Sequence, residues 1–380
     1  MGVTAADSAV PDGSASDGTA PVMAVIGEVV ADAVVARRTE YDASRAASAA
    51  ETLSPGSLSA ERLSPGTQSP ETLSLTVHPG GGPANAAVAL ARLGSMARFA
   101  GRLSTGTLGR LCRARLEASG VDLAASLDVP QPATLAIATL EHGGAARYEF
   151  YTDGTADWGW RDAELDRLLD RALGPTPVAV HVGSLALVLQ PSGAAIESFL
   201  GRARATCTVS IDPNVRAGLV PLATYRRAID RWASLADIVK LSDDDLAELW
   251  PDLDIDGAAA HLHDRGVGLV VITRGAAGAA VSLRCASGPC RFEVPAVATT
   301  VVDTVGAGDS FAAGLLHRLG ARGALGGRLS DLGPETARDA VIFAAHVAAI
   351  TCSRPGADSP WADELPDDLR RDALDATALR

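Results

Sequence analysis

The residues best suited to chemistry lie in the segment VVDTVGAGDSFAAGLL, residues 301–316. Gly306, Ala307 and Gly308 form a small-residue turn before an amphipathic helix, which we predict to begin at Asp309. Helix N-termini present unpaired N–H groups and a positive dipole end, so this turn could hold a phosphate. Asp309 beside such an anion hole could accept a proton from a substrate hydroxyl. Taken alone, the pattern also fits a glycine turn with an aspartate that caps a helix.

Two earlier segments carry residues that could hold a polar ligand. In HPGGGPANAAVALARLG, residues 78–94, Gly80 and Gly81 let the backbone approach a ligand, and Asn85 offers a donor and an acceptor to hydroxyls. In GEVVAD, Asp32 follows a predicted strand end, where the ligand crevice of an α/β sheet is found. Taken alone, the first segment is better explained as a tight turn with an N-terminal polar residue, and the second as a loop carboxylate.

The elements around these residues alternate between strands and helices. PVMAVIGEVV begins the series as a buried strand, two helices end at Gly94 and Gly120, and Val301 and Val302 are expected to end a strand. This alternation predicts an α/β fold with a mainly parallel central sheet between two helical layers. The segments TLAIATLE and RYEFYTD, which flank HGG, predict an antiparallel hairpin that leaves the main sheet as a small β lid.

Composition divides the chain into one domain with three additional segments. Residues 1–20 are small, polar and acidic, which favours a disordered tail. Residues 39–76 repeat ETLS and LSPG without a periodic apolar face, so we interpret them as a low-complexity surface insertion. The domain is expected to span residues 21–362 around that insertion, and residues 363–380 to form a charged tail.

Charge and cysteine content exclude several classes of protein. The 33 Lys and Arg residues against 46 Asp and Glu residues give a net charge of −13, which disfavours a nucleic-acid partner. Lys240 is the only lysine and follows Val239, which excludes a Walker A loop. Five scattered cysteines indicate reduced thiols in a cytoplasmic protein. The N-terminal residues lack a signal-peptide pattern, and no apolar run is long enough for a membrane span.

Taken together, the three motifs resemble the PfkB (ribokinase-like) family of carbohydrate kinases. DTVGAGD matches the family's second signature completely, and Gly80, Gly81 and Asn85 resemble the first. SIDPNVR, VITRGAAGA and AAITCSRPGA are most similar to fructokinase-type members. The resemblance implies a three-layer α/β/α ribokinase-like fold. It also implies transfer of the γ-phosphoryl group of ATP to a sugar hydroxyl, with fructose as the expected substrate.

The resemblance also implies a role for each matching residue. Asp309 would be the base, and the 306–308 turn would form the anion hole for the transferred phosphoryl group. Sugar hydroxyls would be held by Asp32, Gly80, Gly81 and Asn85. The nucleotide would be held by Lys240, Thr273, Gly275 and, near the adenine, His346. Mg²⁺ would lie near Asp245, and a monovalent cation such as K⁺ near Asp303.

The chain departs from the family pattern at three residues and by the insertion at 39–76, which falls where the family builds its lid and early sugar-site structure. Family members often carry Asn-x-x-Glu after the equivalent of Lys240, whereas this chain has Ser242 and Asp245, so the geometry around Mg²⁺ could differ. Gly106 replaces a frequent acidic residue, so one polar contact to the sugar is missing and specificity stays open.

Other functions compete with a fructose kinase. Within the family, the substrate could also be 2-keto-3-deoxygluconate, ribose or a nucleoside. The sequence leaves open whether the chain forms a homodimer. A non-catalytic sugar or nucleotide sensor is the next alternative, although a sensor would not need the base at Asp309. A serine hydrolase would use GDSFA, residues 308–312, but Ala312 stands where the G-x-S-x-G motif has its last glycine.

Overall fold

The computed structural model describes residues 20–36, 74–140, 146–286 and 288–370. Three of the predicted segments lie wholly or partly outside the described residues: the N-terminal tail up to residue 19, the insertion over residues 39–73, and the charged C-terminal tail over residues 371–380. In the described part, no helix is both long and apolar enough to cross a membrane.

An eight-stranded sheet forms the centre of the molecule. Its strands, in spatial order, are β14 Gly288–Val294, β13 Ala279–Cys285, β12 Leu269–Thr273, β11 Ile238–Ser242, β10 Thr208–Asp212, β9 Ala179–Gly183, β1 Val22–Ile26 and β4 Met96–Ala100. The six strands from β12 to β4 are parallel, and the β13–β14 hairpin adds two antiparallel strands at one edge. The predicted mainly parallel sheet is thereby confirmed.

Helices cover both faces of this sheet, as the strand–helix alternation predicts. One face is covered by α1 Gly82–Arg92, α2 Thr107–Ala118, α9 Ala307–Ala321 and α10 Pro334–Cys352. The other face is covered by α4 Ser184–Val188, α5 Ser192–Ala203, α6 Leu222–Leu235, α7 Asp243–Leu249 and α8 Ile255–Asp264. A short helix, α3 Asp162–Leu165, packs beside α5. Strands such as β10 and β12 are buried on both faces, which explains their continuous apolar sequence.

A second sheet stands apart from the first and contains the predicted lid hairpin. Its order is β3 Ser74–Gly80, β2 Val30–Ala36, β7 Thr134–Leu140 and β8 Ala146–Tyr151. β7 and β8 pair antiparallel, so the hairpin predicted from TLAIATLE and RYEFYTD is confirmed. A two-stranded parallel ladder pairs β5 Arg102–Ser104 with β6 Leu127–Val129, and β5 packs on α2.

Four local predictions differ from the structure. Val301 and Val302 end no strand: both are exposed, and the amide of Val302 donates to Cys352 O at the end of α10, because the chain leaves the sheet edge after β14. Helix α9 begins at Ala307, which places Asp309 in its first turn. Residues 74–76 belong to β3 and not to the insertion. Leu365 and Leu369 pack against α10, so the packed chain extends past residue 362.

Candidate active site

The carboxyl ends of three neighbouring parallel strands, β10, β11 and β12, place polar residues at one edge of the sheet. Ser242 ends β11 and is paired in register with Thr273, which ends β12. Asp212 ends β10 beside them. In parallel α/β sheets this edge is the usual ligand crevice. The lid sheet lies at the same edge and contributes Asp32 from β2.

Asp309 and Asn85 form the centre of the site. The Asn85 Nδ2 atom donates to Asp309 Oδ2 over 2.9 Å, although the two residues lie 224 positions apart. Asn85 is in the first turns of α1 and is buried. A methyl group built on Gly82 would lie 3.1 Å from Asp309 Oδ1 and 3.2 Å from Asn214 Nδ2, so Asn214 borders the same carboxylate.

The N-terminus of α9 provides backbone donors next to Asp309. The residue before its first residue is Gly306, which has a left-handed φ of 76°. Gly306 also lies close to Ala357, because a β-carbon at position 306 would be 2.4 Å from Ala357 Cβ. A side chain at position 306 is therefore excluded on two grounds. In the described residues, the amides of Gly308 and Asp309 have no hydrogen-bond acceptor. Free amides at a helix N-terminus form a site for an anionic oxygen.

Asp32 lies in the interior of strand β2, not in a loop after a strand. Its carboxylate occupies the space over Gly80: a β-carbon at position 80 would lie 1.8 Å from Asp32 Oδ2. Burial raises the pKa of Asp32 to about 6; the nearby charge of Arg115 opposes this increase, and the charge of Asp309 adds to it. Asp32 and Asp309 are two carboxylates in one largely buried pocket, and together they can accept hydrogen bonds from several hydroxyl groups.

Lys240 and Asp212 form a buried ion pair beside the 306–308 turn. The Lys240 Nζ atom lies 2.8 Å from Asp212 Oδ2, and a β-carbon at Gly308 would lie 2.8 Å from the same nitrogen. Burial raises the pKa of Asp212 to about 6, although Lys240 lowers it. The second oxygen, Asp212 Oδ1, is buried and has no partner among the described residues. The only lysine of the chain thus lies directly below the turn predicted to hold the transferred phosphoryl group.

The predicted metal carboxylates both accept hydrogen bonds from the protein. Asp245 Oδ1 accepts from the Val215 amide over 2.7 Å, and Asp245 Oδ2 accepts from the amide and hydroxyl of Ser242. Asp303 accepts from the amides of Val305 and Gly356. Within the described residues, no group of three or more His, Cys, Asp and Glu side chains could hold a metal ion. Both oxygens of Asp245 thus accept from the protein, and its role toward Mg²⁺, which commonly uses one or two carboxylates with water and substrate phosphates, stays a prediction.

The remaining predicted nucleotide residues lie further along the edge. Thr273 Oγ1 donates to Leu241 O over 3.4 Å, and Gly275, with φ +50°, opens a turn where a β-carbon would have no atom within 4 Å. His346 lies in the middle of α10, and its buried Nδ1 atom has no hydrogen-bond partner in the part of the chain that the structure describes. Its role at the adenine stays a prediction. Gly106 caps α2 and leaves no acid there.

Sequence patterns carry no signal for Arg115, which belongs to the same site. It projects from α2 and donates through Nη1 to Asn85 Oδ1 over 3.2 Å, and also to Pro79 O and Ala357 O. Burial lowers the pKa of Arg115, and its charge acts on both Asp309 and Asp32. In the sequence it is one of four arginines in a basic stretch, residues 102–115, with nothing to show which one faces inward.

The electrostatic balance at Asp309 suits a proton acceptor. Burial raises the pKa of this carboxyl, and the Asn85 amide together with the charges of Lys240, Arg216 and Arg115 opposes the rise. An efficient general base has a pKa raised toward the working pH while it stays ionised there. Free amides, a buried lysine and this carboxylate therefore lie together on a ribokinase-like α/β fold, and such a set can stabilise a transferred phosphoryl group and accept a proton.

The chain belongs to the pfkB family of carbohydrate kinases, whose family model matches residues 55–364, and it is accordingly a sugar kinase. A fructokinase from Rhizobium leguminosarum bv. trifolii is 38% identical over 243 residues, which covers 64% of this chain and 72% of that protein. The structure of a Vibrio cholerae fructokinase with fructose, ADP and calcium bound aligns with a TM-score of 0.65 and 26% identity, over 90% of this chain and 95% of that one. A double mutant of that fructokinase, with fructose, ADP and potassium bound, aligns with a TM-score of 0.67 and 25% identity over the same shares of the two chains.

Proposed function

We propose that the protein transfers the γ-phosphoryl group of ATP to a hydroxyl group of fructose, with Asp309 as the general base. The single observation that carries this proposal is the Asp309 carboxylate at the N-terminus of α9, bonded to Asn85 and next to two free helix amides. A hydroxyl held there would lie between its proton acceptor and the phosphoryl group that it attacks.

In the proposed reaction, each half of the site has one task. Asp32 and Asn85 hold sugar hydroxyls from the lid side and the α1 side. Gly80 leaves the space that the Asp32 carboxylate fills, and Gly81, with a φ of 98°, turns the chain into α1. Asp309 takes the proton of the attacking hydroxyl, the new O–P bond forms, and the bond to the bridging oxygen of ADP breaks. The 306–308 turn and Lys240 stabilise the charge of the transferred group.

The nucleotide and cations belong to the other half. Thr273 and Gly275 would lie at the ATP phosphates and His346 at the adenine. Asp245 would orient Mg²⁺ through water, and Asp303 would support a monovalent cation such as K⁺. Bound Mg²⁺ neutralises phosphate charge during transfer. We place the reaction in the cytoplasm, since all five cysteines are free.

Fructose is favoured over the other family substrates on two grounds. The similarity to fructokinases supports it, and the pocket offers the polar partners that a ketohexose needs. A buried polar pocket discriminates strongly against substrates that leave its groups unpaired. The missing acid at Gly106 is the feature of this chain that most favours a different sugar.

A coupled ADP-release assay tests the proposal. The purified full chain is given ATP, Mg²⁺ and one acceptor at a time: fructose, 2-keto-3-deoxygluconate, ribose or adenosine. We expect fructose to give the highest kcat/KM. A tenfold higher kcat/KM for another acceptor would make that acceptor the substrate and leave the assignment as a kinase intact. If none of the four acceptors gives ADP release, the proposed substrate class is wrong.

A further inference from the structure

We propose that Arg115 is a positioning residue of the sugar site: its guanidinium fixes the Asn85 amide in the orientation that donates to Asp309, and it anchors the loop around Ala357 beside the anion hole. The inference rests on the proposed phosphoryl transfer and assigns a role to a side chain that neither signature motif contains.

The orientation of the amide follows from the chemistry of its two neighbours. Arginine has only donors, so the group that faces Arg115 Nη1 must be the Asn85 oxygen. The Asn85 NH₂ group is then directed to Asp309 Oδ2. An ionised carboxylate has no proton to donate, so this oxygen acts only as an acceptor. A flipped amide would set donor against donor at Arg115 and acceptor against acceptor at Asp309. Arg115 therefore selects one of two amide orientations.

The second branch of the guanidinium reaches the other half of the site. Arg115 Nη2 donates to Ala357 O, and Ala357 packs on Gly306 at the start of α9. The neighbouring Gly356 amide donates to Asp303 Oδ2 over 2.8 Å. Arg115 also donates to Pro79 O in β3, next to Gly80, over which the Asp32 carboxylate lies. One planar side chain thus connects the sugar half and the anion half, a geometry that lysine cannot reproduce.

The charges that face Asp309 come from several elements. Cations are contributed by Arg115 in α2, Lys240 in β11 and Arg216 after β10, and the facing carboxylates are Asp32 in β2 and Asp212 in β10. Arg92 and Asp358 act on Arg115 itself. Removal of the Arg115 charge leaves Asp309 with fewer cations and the same acids, so its proton should be held more tightly.

The kinetic test compares Arg115→Met, Arg115→Lys and the control Arg110→Met, which removes an exposed arginine from the same helix. For fructose, Arg115→Met should lower kcat/KM about tenfold or more near neutral pH and move the acidic limb of its pH profile to higher pH, so that the defect shrinks as the pH rises. Arg115→Lys should keep the position of that limb and lower kcat. Arg110→Met should match the wild type within about twofold.

A double-mutant cycle separates positioning from packing. If Arg115 acts through Asn85, then Arg115→Met should cost far less in an Asn85→Ala background than in the wild type. Additive losses with an unmoved acidic limb would overturn the proposal, because they would show a side chain that only fills space.

A titration without turnover separates this proposal from the proposed function. In protein labelled with ¹³C at aspartate, the Asp309 carboxyl signal is the one lost in Asp309→Asn. Its midpoint should move to higher pH in Arg115→Met and stay in place in Arg110→Met. If the wild type phosphorylates no sugar, the proposed function fails, and this titration still decides the role of Arg115; an unmoved midpoint would overturn it.

Discussion

At the scale of single residues, the site depends on close approaches that leave no room for a β-carbon. The Asp32 carboxylate lies where a side chain at position 80 would begin. Gly80→Ala should therefore displace Asp32 and raise the KM for fructose by about 10- to 100-fold, the cost of one hydrogen bond to a charged group. The measurement is a steady-state comparison of KM and kcat.

Gly201→Ala is the matched control for that substitution. It adds the same methyl group in α5, at an exposed position where no atom lies within 4 Å of the new carbon. It should leave KM unchanged. An unchanged KM in Gly80→Ala as well would show that Asp32 does not hold the sugar.

Short motifs singled out Asp309, Asn85 and Asp32 as candidates, and the structure brings Asn85 and Asp309 into hydrogen-bond contact. The expected position of Asp32 after a strand end was wrong, because that residue lies inside β2 with its carboxylate over Gly80. The motifs did not identify Arg115 or Asn214 as site residues. Arg115 enters the site only because α2 packs beside α1 with that face turned inward, and this depends on contacts across 30 residues and more. Side-chain partners that lie far apart in the chain have no local pattern.

At the scale of elements, the turn between β1 and β2 carries a buried acid outside the proposed chemistry. Glu28 accepts from the Ala186 amide, and burial raises its pKa from 4.5 to about 7, although a hydrogen bond from Ser184 opposes the shift. The folded chain holds the Glu28 proton more tightly than the unfolded chain does. Protonated Glu28 therefore contributes its full stabilisation of the fold below about pH 4.5. This stabilisation is lost as the pH rises to about 7.

Glu28→Gln should remove this dependence, since glutamine keeps an acceptor for Ala186 and cannot ionise. From about pH 5 to about pH 8, the Tm of the wild type should fall further than that of Glu28→Gln, with roughly 3 kcal/mol of stability at stake. Thermal unfolding followed by circular dichroism measures this difference. Glu117→Gln, an exposed change in α2, should follow the wild type, and a parallel pH dependence of Glu28→Gln would refute the assignment.

Most elements were predictable because their apolar periods are clear. Helix α9 begins two residues before its predicted start, and the lid hairpin lies where the sequence places it. The strand expected at Val301 and Val302 was wrong, because apolar residues in a short run do not reveal whether a sheet edge is available for pairing. Here the chain has already left the sheet after β14 and is bonded to the end of α10 instead.

At the scale of the whole molecule, the segment between β2 and β3 should be dispensable. The two strands are antiparallel neighbours, and Ala36 pairs with Ser74, so their ends lie side by side. Deletion of residues 42–73 would leave five residues, 37–41, to close the hairpin. We expect a Tm within a few degrees of the full chain and unchanged kcat, because the deleted segment has no periodic apolar face. An insoluble or inactive deletion variant would show that the segment packs on the domain.

The fold class followed from the alternation of strands and helices, but the order of strands in the sheet did not. β1 lies between β9 and β4, and β9 is contributed by residues more than 150 positions later. The two hydrophobic cores, one on each face, determine that order, and they form from residues along the whole chain. The crevice at the strand ends is a consequence of this order.

Turnover by Asp309→Asn is the direct test of Asp309 as the general base. The substitution keeps the size of the side chain and removes its basicity, so kcat with fructose and ATP should fall about 10²- to 10⁴-fold. Fructose binding, measured by calorimetry, should stay within about threefold of the wild type, and the exposed change Asp331→Asn should leave both quantities unchanged. Near wild-type turnover in Asp309→Asn would contradict the role of Asp309 as the general base, because the reaction would then proceed without its carboxylate.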